Sequence, residues 1–221
     1  MSTAALTNDH TTPEGASPAT AKMGMIIFLV SEAMLFAGLI AGYIVLRGTM
    51  GGEWPPAEVP EGANIGLQFP PTFMNWVMIV NSIILISSSF TLHFSEVQVA
   101  KHGKSGLALL GLTIILGTIF LCVQGWEWYH LKHEGMWFPT SSDDHHSYSL
   151  YGVYGTTFFV TTGFHGFHVL VGILLLIWCF LKQLFTRCYT PARHVSLNNV
   201  SLYWHFVDVV WIFVYVVLYV V

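Results

Sequence analysis

Eight ionisable side chains lie inside or at the ends of long apolar stretches of the sequence, where a charge is expensive. They are Glu32, His93, Glu127, His130, His165, His168, His205 and Asp208. Carboxylates and imidazoles can bind metal ions, ligate haem or hold and pass on protons. An ionisable group within a membrane usually faces the protein interior and has a partner. Spacing and depth therefore decide which of these chemistries the sequence favours.

Two pairs among these residues have the spacing of metal ligands. Glu127 and His130 are spaced like one half of a carboxylate-bridged di-iron site, which also needs a second such pair and two further carboxylates. The sequence contains only one copy of this pair, and it lies about 15 Å or more in depth from Glu32. His165 and His168 would suit a membrane hydroxylase, although the further histidine clusters of such an enzyme are also missing. Bis-histidine haem ligation between two helices stays open on the pattern alone. The sequence therefore predicts that these residues do not bind a metal ion and that the histidines are hydrogen-bonded inside the protein.

The elements that position these residues are membrane-spanning helices. Hydrophobic residues make up 54% of the 221 residues and charged residues 9%, against about 25% charged in soluble domains. Five apolar blocks are long enough to cross the bilayer as helices, at residues 23–46, 73–94, 106–128, 152–180 and 197–221. We predict an all-α, polytopic membrane helix bundle forming a single domain over 23–221. A flexible polar tail over 1–22 precedes it.

Basic residues predict the orientation of the bundle. With the N-terminus inside, the inside segments hold Lys22, Lys101, Lys104, Lys182, Arg187 and Arg193, and the outside loops hold Arg47 and Lys132. This distribution satisfies the positive-inside rule. An odd number of spans then places the C-terminus outside. No basic patch with interleaved aromatic residues is present in the sequence, which argues against a nucleic-acid partner.

Depth separates the ionisable residues into groups when each helical residue is counted as about 1.5 Å of rise. Glu32, His165, His168, His205 and Asp208 share a band from the inner third to just past the midplane. We predict that these five residues form a buried polar network with a role in proton handling or lipid contact, or one that only fixes helix packing. Glu127 and His130 are predicted to form a polar pair near the outer interface, and His93 lies near the inner one.

Two long motifs resemble subunit III of the haem–copper cytochrome c oxidases. They are GVYGTTFFVTTGFHGFHVLVG at residues 152–172 and YWHFVDVVWIFVY at residues 203–215. The segment FLVSEAMLF at residues 28–36 resembles the Ser-Glu helix of that family, and WPP at residues 54–56 also fits, as does the placement of Glu127. The resemblance covers residues 23–221. Longer members have two extra helices before the Ser-Glu helix, so this chain resembles the short, five-helix bacterial form.

The resemblance implies an accessory subunit without a redox centre in a proton-pumping, oxygen-reducing enzyme of aerobic respiration. Haem and copper are then expected in partner subunits, and bound phospholipid is compatible with this role. The chain would pack on subunit I, in a complex that also holds subunit II and can include small subunits, in the bacterial cytoplasmic membrane. There it would support proton uptake and the durability of the enzyme during turnover.

The resemblance also assigns residues. Glu32 occupies the position of the family's buried glutamate, while His165, His168, His205 and Asp208 match its histidine and aspartate positions. The same five residues share the depth band.

Two alternatives to the cytochrome c oxidase hypothesis remain at this stage. Subunit III of a haem–copper quinol oxidase is built alike, but it tends to carry aspartate after the first-span serine and to lack the WPP loop. Glu32 and residues 54–56 therefore favour the cytochrome c branch. A stand-alone membrane metalloprotein is the more distant alternative.

Overall fold

The computed structural model describes residues 18–49, 72–102, 106–133, 150–186 and 195–220, and these residues form five long helices. The helices are α1 (Pro18–Thr49), α2 (Thr72–His102), α3 (Leu107–His133), α4 (Leu150–Thr186) and α5 (Val195–Tyr215), and α5 continues as a π-helical turn over Val216–Val220. Each is long and apolar enough to cross a membrane, and this part of the chain contains no strand. The predicted all-helical, five-span fold class is confirmed.

The helices extend beyond the apolar blocks that predicted them. α1 begins at Pro18 rather than at residue 23, so the last residues of the predicted tail are helical, and residues 1–17 lie outside the described residues. α2 continues to His102 and α4 to Thr186. Hydropathy marks only the segment within the hydrocarbon, whereas the hydrogen bonds of a helix are internal and continue into the polar headgroup region.

Four of the helices form a ring. α2 packs on α3, α3 on α4, α4 on α5, and α5 closes the ring against α2. α1 lies outside the ring and packs against α5 and α4. α5 therefore packs along α1, α2 and α4, whereas α1 exposes most of its surface.

Trp204 of α5 connects three helices of the ring. The side chain is fully buried and packs against Gly117 of α3 and Gly172 of α4, where a Cβ atom would lie 2.7 Å from the indole ring. Its Nε1 donates a hydrogen bond to Oγ of Ser88 on α2 at 2.9 Å. The glycines are needed because they allow the ring to approach both backbones.

Serines on α2 form hydrogen bonds with neighbouring segments. Nε1 of Trp211 donates to Oγ of Ser82 at 2.9 Å, and Oγ of Ser95 donates to the backbone oxygen of Gly106 at 2.7 Å. Small hydroxyl side chains permit close helix approach and hydrogen-bond across helices in a membrane. The serines of α2 thus fix its position against α5 and the start of α3.

Candidate functional site

The five residues predicted to form one network occupy three separate settings. One is a Glu–His pair between α1 and α4, and the second is a trio between α2 and α5 that includes an unpredicted serine. The third is a single buried imidazole inside the ring. Each setting has different hydrogen-bond partners and a different exposure.

Glu32 and His168 form the pair that joins α1 to α4. Oε2 of Glu32 lies 3.0 Å from Nε2 of His168, and Nδ1 of His168 lies 2.7 Å from the backbone oxygen of Phe164. A carbonyl oxygen only accepts, so Nδ1 carries a hydrogen. A further proton then lies between Nε2 and Oε2, either on the imidazole or on the carboxyl. In both cases the pair has no net charge.

The pair lies at the edge of the protein. The side chain of Glu32 is 19% exposed and that of His168 is 8% exposed. The ring of Phe36 packs edge-on against the imidazole of His168 with centroids 5.1 Å apart, and the hydroxyl of Tyr203 donates to the backbone oxygen of His168 at 3.0 Å. Glu32 is therefore the member of the pair that a molecule outside the bundle can reach.

Ser89 of α2 links His205 and Asp208 of α5. Its Oγ lies 2.9 Å from Nδ1 of His205 and also forms a short hydrogen bond with Oδ2 of Asp208. Asp208 is 4% exposed, and its Oδ1 has no hydrogen-bond partner among the described residues. His205 is partly exposed. The three side chains form one continuous hydrogen-bonded chain between α2 and α5.

His165 stands apart from both clusters. It is fully buried, and its ring packs against Trp211 with centroids 4.8 Å apart and edge-on against Phe120 at 6.0 Å. Within the described part of the chain neither ring nitrogen has a hydrogen-bond partner. His165 and His168 are three residues apart, so they leave α4 in directions about 60° apart, and one faces the ring interior while the other faces α1.

Glu127 and His130 do not form the expected outer pair. Glu127 is 1% exposed. Its Oε1 and Oε2 accept hydrogen bonds from the hydroxyl of Tyr219 at 3.0 and 2.9 Å, and Gln124 donates to Oε2. The ring of His130 packs instead on Trp126 with centroids 4.5 Å apart. Depth along the helix gave the height of both residues but not the face on which each lies.

The sequence reasoning missed the neutral partners of the acids. Ser89 stands in a run of three serines, residues 87–89, and nothing in the pattern singles it out. Tyr219 lies in the π-helical turn, where α-helical periodicity gives the wrong face. Gln124 precedes Glu127 by three residues, a spacing that places both on one side of α3, so this partner could have been found.

The arrangement can share protons and fix helix positions. Within the described helices no three His, Cys, Asp or Glu side chains converge as a metal site requires. The carboxylates contact a histidine, a serine, a glutamine or a tyrosine instead, all of which can exchange or orient a proton.

The chain is similar to a family of known proteins over nearly its whole length. The family model described as cytochrome c oxidase subunit III matches residues 2–221. A probable cytochrome c oxidase subunit 3 of Nocardia farcinica is 36% identical over 203 residues, covering 91% of this chain and 88% of the relative. Similar coverage is found for the cytochrome c oxidase subunit 3 of Thermostichus vulcanus, at 36% identity with 90% and 86% covered. That of Corynebacterium diphtheriae is 39% identical, with 91% and 88% covered.

Proposed function

The chain belongs to the cytochrome c oxidase subunit III family, and we propose that it serves as the accessory, non-redox subunit of a haem–copper oxidase in aerobic respiration. The observation that carries this proposal is the family match over residues 2–221. As a family member the chain is part of an oxygen-reducing enzyme complex. The relatives are named for cytochrome c, so the quinol oxidase alternative is not favoured.

Haem and copper belong, in this proposal, to subunits I and II, and the chain packs directly on subunit I. The exposed surface of the helices supports association within the membrane because it is strongly apolar. Large exposed side chains include Met34, Trp76, Phe90, Phe167, Trp178 and Phe185. Phospholipids and neighbouring subunits can both cover such a surface.

The Glu32–His168 pair is proposed to have a proton-related or lipid-related role. Its support is the partial exposure of Glu32 beside a shared proton. Glu32 is therefore able to exchange a proton with, or hydrogen-bond to, a molecule lying against α1 and α4. His165, which lacks polar partners among the described residues, is not part of this surface.

The proposed location is the bacterial cytoplasmic membrane, with the N-terminus inside. Five candidate spans make the chain a multi-pass membrane protein, and the bacterial relatives together with the distribution of basic residues support the rest.

Copurification tests the function directly. The affinity-tagged chain is extracted from its own membranes in mild detergent, and an unrelated multi-pass protein with the same tag serves as the control. We expect haem absorbance and two larger subunits to elute with the chain but not with the control. The chain separated in stronger detergent should be colourless. Stoichiometric haem or iron in the isolated chain would contradict the proposal.

A further inference from the structure

The serine-linked trio of α2 and α5 has the connectivity of a proton pathway. We propose that His205, Ser89 and Asp208 form a relay that holds one exchangeable proton and passes it between the surface of the chain and the buried carboxyl of Asp208. The two contacts that build it are the 2.9 Å approach of Nδ1 of His205 to Oγ of Ser89 and the hydrogen bond between Ser89 and Oδ2 of Asp208. The inference rests on the proposed function, since the oxidase complex is what would use the proton.

The trio has two proton arrangements with the same number of protons. In the first, the carboxyl O–H of Asp208 donates to Oγ of Ser89, whose own O–H donates to Nδ1 of a neutral His205. In the second, Nδ1–H of a charged His205 donates to Ser89, whose O–H donates to the carboxylate of Asp208. The two interconvert when the Asp208 O–H bond breaks as a new one forms at Ser89, and the old Ser89 O–H breaks as an N–H forms at His205.

Both arrangements keep the trio neutral. In the second, the charges on Asp208 and His205 compensate each other through the hydroxyl of Ser89. An uncompensated buried carboxylate costs several kcal/mol, so the link to His205 is what makes ionisation of Asp208 accessible. Oδ1 of Asp208 has no hydrogen-bond partner among the described residues. That oxygen is therefore available to a group outside them.

His205 is the surface end of the relay. It is partly exposed and lies about 14 Å along the helix from the start of the fifth span at Ser196. Asp208 lies about 18 Å from the same residue. Besides Asp208, the ionisable side chains of the described residues that act electrostatically on His205 are Glu96 and His93, both on α2, and His93 is exposed. They can deliver protons from the end of the bundle that the basic residues place inside.

Three consecutive serines of α2 provide matched controls. Ser87 donates only to the backbone of its own helix, to the oxygen of Ile83 at 2.7 Å. Ser88 accepts from Trp204, and its hydroxyl donates to the backbone oxygen of Leu85. Ser89 is the one of the three whose hydroxyl touches both an acid and an imidazole.

Infrared titration of the purified oxidase complex tests the relay. The carbonyl stretch of protonated Asp208 is assigned by its loss in Asp208→Asn. With Ser89 in place, we expect His205→Gln to move the titration midpoint of this band by about one pH unit or more, the threshold for a coupled pair. In a Ser89→Ala background the same substitution should move it by less than about a third of that. In a Ser87→Ala background, the shift that His205→Gln causes should be unchanged. In a Ser89→Thr background, which keeps a hydroxyl at this position, the full shift should return.

Equal coupling with and without the hydroxyl of Ser89 would overturn the relay, as would equal loss of coupling in Ser87→Ala. If Ser89→Ala does not assemble, Ser89→Cys replaces it, because the thiol fits the site and is a poor hydrogen-bond partner. A complex that copurifies but shows no coupling defeats the relay alone. A chain that does not copurify with a haem–copper core defeats the proposed function.

Discussion

Glu32 ties a peripheral helix to the bundle through a single shared proton. α1 packs mainly on α5 and α4, and Oε2 of Glu32 reaches Nε2 of His168 across the second of these contacts. Another polar contact of the same helix is the longer hydrogen bond, 3.4 Å, from Asn199 to the backbone oxygen of Ala21. Glu32 therefore contributes both to the attachment of α1 and to the polarity of the surface beside it.

Replacing Glu32 with alanine should weaken that attachment by about 1–3 kcal/mol, because Nε2 of His168 loses a charge-assisted partner. We expect the complex to assemble in nearly normal yield but to retain less phospholipid, take up protons more slowly or inactivate faster during oxygen reduction. Glu32→Gln, which keeps a hydrogen bond to Nε2 of His168, should give values between those of Glu32→Ala and the wild-type complex. Met34→Ala on the exposed side of α1 is the control. A Glu32→Ala complex that equals wild type in all three measurements would make Glu32 purely structural.

Glu127 is the most fully bonded acid among the described residues that bear on the site. The hydroxyl of Tyr219 contacts both carboxylate oxygens, and Gln124 contacts one of them. These bonds join the C-terminal end of α3 to the π-helical turn that ends α5. The π-helical geometry changes the direction in which Tyr219 leaves the helix, so this bond and the irregular turn depend on each other.

Tyr219→Phe should destabilise the protein by about 1–3 kcal/mol, because it removes one donor from a buried carboxylate without changing the packing of the ring. Glu127→Ala should cost at least as much, since it leaves Tyr219 and Gln124 without their acceptor. Thermal unfolding of the complex in mild detergent measures both. Tyr129→Phe, at an exposed position near the same end of α3, should leave the unfolding midpoint unchanged. Equal unfolding midpoints for Tyr219→Phe and Tyr129→Phe would show that the hydrogen bonds of Tyr219 to Glu127 do not stabilise the protein.

At the scale of the helices, close approach is controlled by where glycine faces an aromatic ring. Gly117 of α3 and Gly172 of α4 contact different edges of the indole ring of Trp204. Gly111 of α3 is different, because a Cβ atom there would lie 3.6 Å from Phe180, an ordinary van der Waals distance. The same residue type thus has a strict steric requirement at two positions and none at the third.

Gly172→Ala should lower the stability of the bundle by about 1–3 kcal/mol, the usual cost of overpacking a tight contact. The added methyl group would displace Trp204 and lengthen its hydrogen bond to Ser88. The measurement is the thermal unfolding midpoint, with tryptophan fluorescence reporting the environment of the indole. Gly111→Ala is the matched control and should be neutral. If both substitutions behave alike, the close packing of Trp204 does not limit stability.

At the scale of the whole molecule, α2 to α5 form a ring and α1 packs on the outside of it. α5 occupies the shared position, since it contacts α1, α2 and α4. α5 takes part in all three polar settings. Its Tyr203 donates to the backbone oxygen of His168, its Trp211 packs on His165, and its His205 and Asp208 bind Ser89. A molecule that lies beside α1 can reach Glu32, the more exposed member of the pair.

The orientation of the bundle stays a prediction that a topology experiment can decide. Fusing alkaline phosphatase or a fluorescent protein to the C-terminus distinguishes the two sides, because the former is active only outside and the latter fluoresces only inside. We expect an active phosphatase and a dark fluorescent protein, as the positive-inside rule requires. The same reporters placed after Lys101, at an inside end, serve as the reversed control. A fluorescent C-terminal fusion would invert the assigned sides.

The sequence by itself determined the number of helices and predicted the heights of the ionisable residues. Apolar length sets where a helix crosses the bilayer, and the regular rise of a helix converts residue number into depth. The first fact sufficed for five spans, and the second predicts the shared depth band of Glu32, His165, His168, His205 and Asp208. The long motifs on α4 and α5 sufficed for the family.

Only the tertiary structure decided which partner each residue has. Residues at equal depth meet only if their helices turn the right faces together, and that depends on packing between distant segments. For this reason His165 and His168 separate, Ser89 rather than its neighbouring serines joins His205 to Asp208, and Glu127 bonds Tyr219 instead of the nearby His130. Rise along a helix can be read from one chain, whereas the rotation of each helix against its neighbours comes from side chains filling space, as Trp204 does between its two glycines.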